Sequence, residues 1–368
     1  MTPDKFGFYQ VGNRKTFSKF EALEWSKQSN VEVSWIFNDE AFSRFDWFTE
    51  PDIDLWELYK QRARQIRDKY DYCVLWYSGG SDSHNILMSW LDAGCKVDEI
   101  AVTWNYGLTG NLQNHQNAEI VNVVLPDVKK LKNSGYDFKF RLIEIPDVAL
   151  KFFENTKNNH EYFFNYNIQL SSIGKQLIRD EVDDYKKLID GGKKVCFVWG
   201  KDKPYVYNQN NKFYCTFADT IDDVVGPYSQ QRRSQGWYDE LFYWTSDMPS
   251  LPIKMAHVVK NYLKFAEDKS NFMNQPYLLN DSNYSPSLNM FLKAEKIKEL
   301  LYPKWSNNIF CNGKSPRRIL GLRDEWISKL DISKKETMSS VISNIFSLTE
   351  QTKPTAMKPF YSKKYWLE

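Results

Sequence analysis

The hexapeptide Ser78-Gly79-Gly80-Ser81-Asp82-Ser83 packs two glycines, three hydroxyls and one carboxylate into a very short stretch of chain. Glycines allow a tight turn and a close backbone approach to a ligand, and N–H groups gathered at a helix start aim partial positive charge at one point. That point suits phosphate. Ser78, Ser81 and Ser83 add hydroxyl donors, and the Asp82 carboxylate is a hard oxygen ligand for a magnesium ion carried on the same phosphates.

The flanking segments position this loop. Tyr72 to Tyr77 is an apolar run that reads as a buried strand, and Ile86, Leu87, Trp90 and Leu91 recur at helical spacing directly after the loop. Gly94 stops that helix, and Glu99 to Trp104 reads as a second parallel strand. Residues 113–133 are expected to be helical with an interruption at Pro126, and Phe138 to Ile145 to be a third strand. Lys194 to Trp199 is the fourth, beside the first, and it delivers Gly200-Lys201-Asp202-Lys203-Pro204 to the crevice of the glycine loop. Strand and helix in alternation predict an α/β fold with a doubly wound parallel sheet. Residues 155–170 read as a loop insertion over the site, and Tyr205 to Phe217 as a hairpin around Asn208 to Asn211.

Ser78 to Ser83 match the SGGxDS pattern of the PP-loop, so the chain resembles the N-type ATP pyrophosphatases, or adenine nucleotide alpha hydrolases, among them asparagine synthetase, GMP synthetase and argininosuccinate synthetase. The resemblance implies a HUP-type domain that binds ATP and Mg²⁺ and cuts between the α- and β-phosphates to leave an adenylate. It makes Ser78, Gly79, Gly80, Ser81, Asp82, Ser83 and Thr103 nucleotide contacts, with Trp104 beside Thr103 as a further candidate. It also implies Asp82 and Asp202 as magnesium ligands, and Lys203 or Lys201 as the cation facing the departing pyrophosphate. An ordinary charged turn before Pro204 accounts for the Gly200 loop equally well.

Asp82→Asn is expected to weaken metal-dependent turnover while leaving the stability of the ligand-free fold almost unchanged. Lys254 and His257, three apart on one helix face, are expected either to contact the adenylate, with Lys254 as a catalytic cation, or to belong to a solvated polar stripe. Glu240 and Asp247 read as surface carboxylates beside aromatics. Phe8 to Gly12 with Ser18 to Leu23, Gly200 to Pro204 and Glu240 to Trp244 together resemble asparagine-synthase-like PP-loop proteins carried by tailed phages.

The 368 residues suggest three regions: a small α/β appendage over 1–68, an ATP-binding domain over 69–225 and a mostly helical region over 226–368. Within the appendage, Ser18 to Glu21 is a capping box that opens a helix, and Asp54 starts the helix that leads into the first sheet strand. The appendage is too short for a glutaminase, and Thr2 stands where such domains expose a cysteine, so ammonia is expected to arrive free or from a partner.

A net charge of +2 gives no electrostatic reason to expect nucleic acid, and no apolar run reaches the roughly 20 residues of a membrane span. Five scattered cysteines without a CxxC argue against a disulfide framework or a thiolate zinc site, and a cytoplasmic protein is expected. The leading expectation is an ATP-dependent ligase that adenylates a carbonyl or carboxylate oxygen of a small-molecule or nucleotide substrate for C–N bond formation. The alternatives are nucleobase modification through an adenylated intermediate, and a non-catalytic ATP- or AMP-binding regulatory or anti-defence protein.

Overall fold

Alternating short strands build the first sheet, in which β1 (Phe8–Val11) pairs antiparallel with both β2 (Arg14–Thr16) and β3 (Ser34–Ile36). The computed structural model describes residues 5–104, 120–144, 150–151, 154, 182–200, 203–219, 235–265, 296–305, 331–337, 340 and 359–368. Helix α1 (Lys19–Ser29) begins at Ser18, whose hydroxyl accepts from the Glu21 N–H at 3.4 Å. The Glu21 carboxylate does not close a reciprocal box. It takes the Thr16 hydroxyl, and the Ser18 N–H donates to Thr16 Oγ1 at 3.0 Å. After the short α2 (Asp39–Phe42), Asp54 caps α3 (Leu55–Lys69) by accepting from Trp56 N at 2.8 Å and Glu57 N at 3.2 Å. The buried residues of α3 are Leu55, Leu58, Tyr59, Arg62, Ala63 and Ile66, an unbroken i, i+3, i+4 stripe.

The central sheet is all parallel and is built from β4 (Tyr72–Trp76), β5 (Glu99–Trp104), β6 (Lys139–Glu144), β7 (Val195–Trp199) and β10 (Trp237–Leu241), in the order β10-β7-β4-β5-β6. All five residues of β7 are buried, as expected for a strand covered on both faces. The chain steps outward from β4 to β5 and β6, then returns to the far side of β4 for β7 and β10. The order therefore reverses between β4 and β7, which is compatible with a doubly wound α/β fold. Helix α4 (Ser81–Asp92) follows β4 and ends before Gly94, at φ +71°. The regular helix is interrupted beside Pro126: a π-turn over Ile120–Val124 gives way to α5 (Leu125–Asn133) one residue before that proline, which has no N–H to donate. The remaining helices are α6 (Asp183–Asp190) before β7 and α7 (Ser250–Phe265) after β10.

Among the described residues after 217, two segments are strands. Trp237–Leu241 is the fifth sheet strand, and β11 (Tyr365–Trp366) joins the hairpin of β8 (Tyr205–Gln209) and β9 (Lys212–Thr216). That hairpin turns at Asn210 and Asn211, both at positive φ. The β10 strand is hidden in the sequence by Asp239 and Glu240, which look like solvent-facing residues. Both are buried: Asp239 accepts from Trp199 Nε1 at 2.7 Å, and Glu240 takes Arg62 Nη2 and Lys69 Nζ, each at 2.8 Å. Glu240 is thus no surface carboxylate. Buried residues of all three sheets belong to one hydrophobic core, and no helix among the described residues is long and apolar enough to cross a membrane.

The Arg62–Glu240 pair joins α3 to the edge of the central sheet, and Arg62 Nη2 also donates to Leu241 O at 3.0 Å. Burial favours the neutral carboxyl of Glu240, but Arg62, Lys5 and Lys69 outweigh it and hold its pKa well below the ordinary glutamate range. The ionised pair therefore contributes stability at neutral pH that is lost as the pH falls below that range. Arg62→Met should cost about 3 kcal/mol at pH 7, the low end for a broken buried pair because Lys69 and Lys5 remain. Urea unfolding midpoints measure this, and a loss below ~1 kcal/mol would contradict the role given to the pair.

Candidate functional site

Parallel pairing of β4 with β7 sets Val74 opposite Phe197 and Leu75 opposite Val198, so the turns that follow the two strands leave the same sheet edge side by side. After β4, the Tyr77 N–H still donates to Ala101 O at 2.9 Å. Gly79 then adopts φ +78°, a conformation that favours glycine, and Gly80 becomes the N-cap of α4. The loop is knotted on its own hydroxyls. Ser78 N donates to Ser83 Oγ at 3.2 Å, Gly80 N to Ser78 Oγ at 3.3 Å, and the Ser83 hydroxyl to Gly80 O at 3.0 Å. Ser78 and Ser83 thereby fix the loop's shape, while the first-turn N–H groups of Ser81 and Asp82 have no intrahelical acceptor and suit an anion.

Gly200 brings the second turn against the first. A Cβ there would lie 3.3 Å from the backbone of both Asp82 and Ser83 and 3.0 Å from Ile86 Cδ1, so a side chain would wedge the turns apart. Beyond it the buried Lys203 donates from Nζ to Asp82 Oδ1 at 3.0 Å. The Tyr302 hydroxyl donates to the same oxygen at 2.5 Å, and its ring lies under the Lys203 ammonium at 5.5 Å. Tyr243, just past β10, donates to Asp82 O at 2.6 Å and accepts from Asn85 Nδ2 at 3.2 Å. Burial pushes the Asp82 carboxyl upward, yet Lys203 and then the Tyr302 hydroxyl prevail and hold it below the ordinary aspartate range. Burial and the nearby Asp82 charge push the Tyr302 phenol far up, so it stays a donor.

The structure thus gathers Ser78, Gly79, Gly80, Ser81, Asp82, Ser83 and Lys203 at one crevice. Thr103, half-buried, is the next-to-last residue of β5, the strand on the other side of β4, and so lies at the same sheet edge. Asp202 and Lys201, like the insertion over 155–170, lie outside the described residues. Lys254 is engaged elsewhere: its Nζ sits 2.7 Å from Glu50 Oε1 and 3.0 Å from Pro51 O, while His257 Nε2 meets Trp47 O at 2.9 Å. This polar stripe fastens the 47–51 segment to α7, and burial lowers the His257 pKa.

Sequence reasoning missed Tyr243 and Tyr302. Recognising β10 as a strand would have sent Tyr243 to this edge, whereas nothing in Leu301-Tyr302-Pro303 signals its partner 220 positions away. Among the described residues no three His, Cys, Asp or Glu side chains gather as a metal site. Among the described residues Asp82 Oδ2 meets Ser81 Oγ at 3.3 Å, so this oxygen could serve as a single hard ligand to a magnesium ion delivered with phosphates. Comparison with known proteins gives no family model, no curated protein and no solved structure that matches the chain.

The Lys203 contact bears on the stability of the ligand-free Asp82→Asn variant. Replacing the charge-assisted bond to a buried ammonium by a neutral amide contact should cost roughly 1.5 to 3 kcal/mol at pH 7. Because the Asp82 pKa is lowered in the fold, the wild-type advantage should persist above the ordinary aspartate range and fade as the pH falls below it. Unfolding midpoints of the two proteins between pH 7 and pH 3 check both. Equal stability at pH 7 would mean that the pair contributes nothing.

Proposed function

We propose that Ser78 to Ser83 form the PP-loop of an N-type ATP pyrophosphatase of HUP type, which adenylates a carbonyl or carboxylate oxygen of a small-molecule or nucleotide substrate and releases pyrophosphate. The observation that carries this reading is the meeting of a hydroxyl-braced glycine turn at a helix start with Lys203, delivered from the neighbouring strand at the reversal of the sheet. Such a site holds the β- and γ-phosphates against N–H groups and a fixed cation, leaving the α-phosphorus open to attack. Magnesium, with Asp82 as its protein ligand, would screen the phosphate charge.

In this reading Lys203 turns from Asp82 to the pyrophosphate when a triphosphate enters. Thr103 borders the nucleoside. The adenylated oxygen then leaves with AMP as a nitrogen nucleophile forms the C–N bond. Lys254, tied to Glu50 and Pro51, is not assigned a catalytic role.

Incubation with ATP and Mg²⁺ over pools of metabolites, nucleotides and nucleic acids should yield AMP and pyrophosphate in equal amounts. Product analysis by anion-exchange chromatography decides this, and ADP with orthophosphate would contradict the assignment. A requirement for nucleic acid would favour base modification over small-molecule ligation.

A further inference from the structure

Asp82 Oδ1 has two partners of different kinds. Lys203 Nζ reaches it at 3.0 Å from the end of a long flexible side chain, whereas the Tyr302 hydroxyl donates to it at 2.5 Å from a fully buried ring. The position of that ring is set from behind the site. A helical stretch over 296–301 leads into it, the Tyr302 N–H donates to Lys298 O at 2.8 Å, and the Trp305 N–H donates to Tyr302 O at 2.9 Å. The neighbouring Leu301 carbonyl accepts from the buried Tyr59 hydroxyl of α3 at 2.8 Å, and the Tyr243 ring packs on Tyr302 at 5.7 Å. These contacts are made to α3, to Tyr243 and within the segment itself, so the phenol is held independently of what binds at the glycine turn.

Two hydrogen bonds on one oxygen limit what Asp82 can offer a cation. A carboxylate oxygen has about two acceptor sites, and on Oδ1 both are taken. When Lys203 turns to a phosphate, Tyr302 stays, and Oδ1 still carries a hydroxyl hydrogen whose partial charge opposes a cation on the same atom. Oδ2, which among the described residues meets Ser81 Oγ at 3.3 Å, is the oxygen left to present. Magnesium suits such single-oxygen ligation, because its strict octahedral shell is filled largely by water and phosphate. Calcium is larger, takes more oxygens and gains from a carboxylate that grips with both. A fixed donor on one oxygen therefore penalises calcium and spares magnesium. Docking of the 296–305 segment by itself needs a buried aromatic ring, not a hydroxyl aimed at this carboxylate.

We propose that Tyr302 is a positioning residue that makes Asp82 a one-oxygen ligand and thereby selects magnesium over calcium at the triphosphate site. The assignment rests on the adenylation reading above, in which Asp82 holds the metal that accompanies ATP. Removing the hydroxyl frees Oδ1 once Lys203 has left it, so that Asp82 can close on a calcium ion with both oxygens.

Calorimetry with α,β-methylene-ATP at saturating Mg²⁺ or Ca²⁺ reads this preference in the wild type and in Tyr302→Phe, which keeps the ring and loses the hydroxyl. The wild type should bind the magnesium complex more tightly than the calcium complex. In Tyr302→Phe the ratio of the two affinities should fall about tenfold, the weight of one hydrogen bond to a charged group. A merely structural tyrosine would weaken both complexes alike. A wild type with no preference for magnesium, or a ratio that the variant leaves unchanged, would therefore overturn the proposal alone. A second measurement needs no variant: in wild-type crystals grown with Mg²⁺ and the analogue, the metal should meet Asp82 through Oδ2, with Tyr302 Oη still on Oδ1. A two-oxygen grip or a displaced Tyr302 would contradict the assignment. Failure of the analogue to bind the wild type with either metal would overturn the adenylation reading and this proposal with it.

Discussion

Parallel pairing of β4 with β7 is the constraint on which the rest of the structure depends. Both strands are buried, and they are adjacent in space although more than a hundred residues separate them in the chain. Because the sheet grows outward on both sides of this pair, their two exits lie side by side at one sheet edge. Gly79 makes the first exit turn sharply. Gly200 allows the second to come within van der Waals contact of the start of α4. Move β7 to any other position and Lys203 no longer reaches Asp82.

The two ends of the central sheet treat buried charge differently. At the amino end the Glu99 carboxylate is fully satisfied, by Arg141 Nε at 2.7 Å, Tyr185 at 2.6 Å and Tyr72 at 2.8 Å. Those partners lie on β6, α6 and β4, so the cluster locks neighbouring elements together. At the carboxyl end one Asp82 oxygen is shared by Lys203 and Tyr302, while the other meets, among the described residues, Ser81 Oγ at 3.3 Å. A satisfied carboxylate of the first kind serves stability, as Glu240 does on the sheet edge. The second kind can exchange its partners, which a phosphate and metal site requires.

Much of this was legible in the sequence. The strand, loop and helix around Ser78 to Ser83 follow from an apolar run, two glycines and a helical stripe, and the adjacency of β7 follows from the rules for parallel sheets. Two kinds of feature were not. Strand β10 was concealed because its Glu240 reads as a surface carboxylate until Arg62 and Lys69 are known to meet it. Tyr302 and the Lys254 contacts depend on long-range docking that local periodicity does not encode.

The central claim is that the Ser78 to Ser83 turn and Lys203 form one phosphate site. A crystal structure with Mg²⁺ and α,β-methylene-ATP, which resists cleavage at the proposed bond, tests it most directly. The β- and γ-phosphates should lie on the N–H groups of the turn, with the α-phosphorus facing outward and Lys203 Nζ moved from Asp82 Oδ1 to a phosphate oxygen. A triphosphate bound away from this turn, or bound here with Lys203 still on Asp82 and the γ-phosphate outermost, would contradict it.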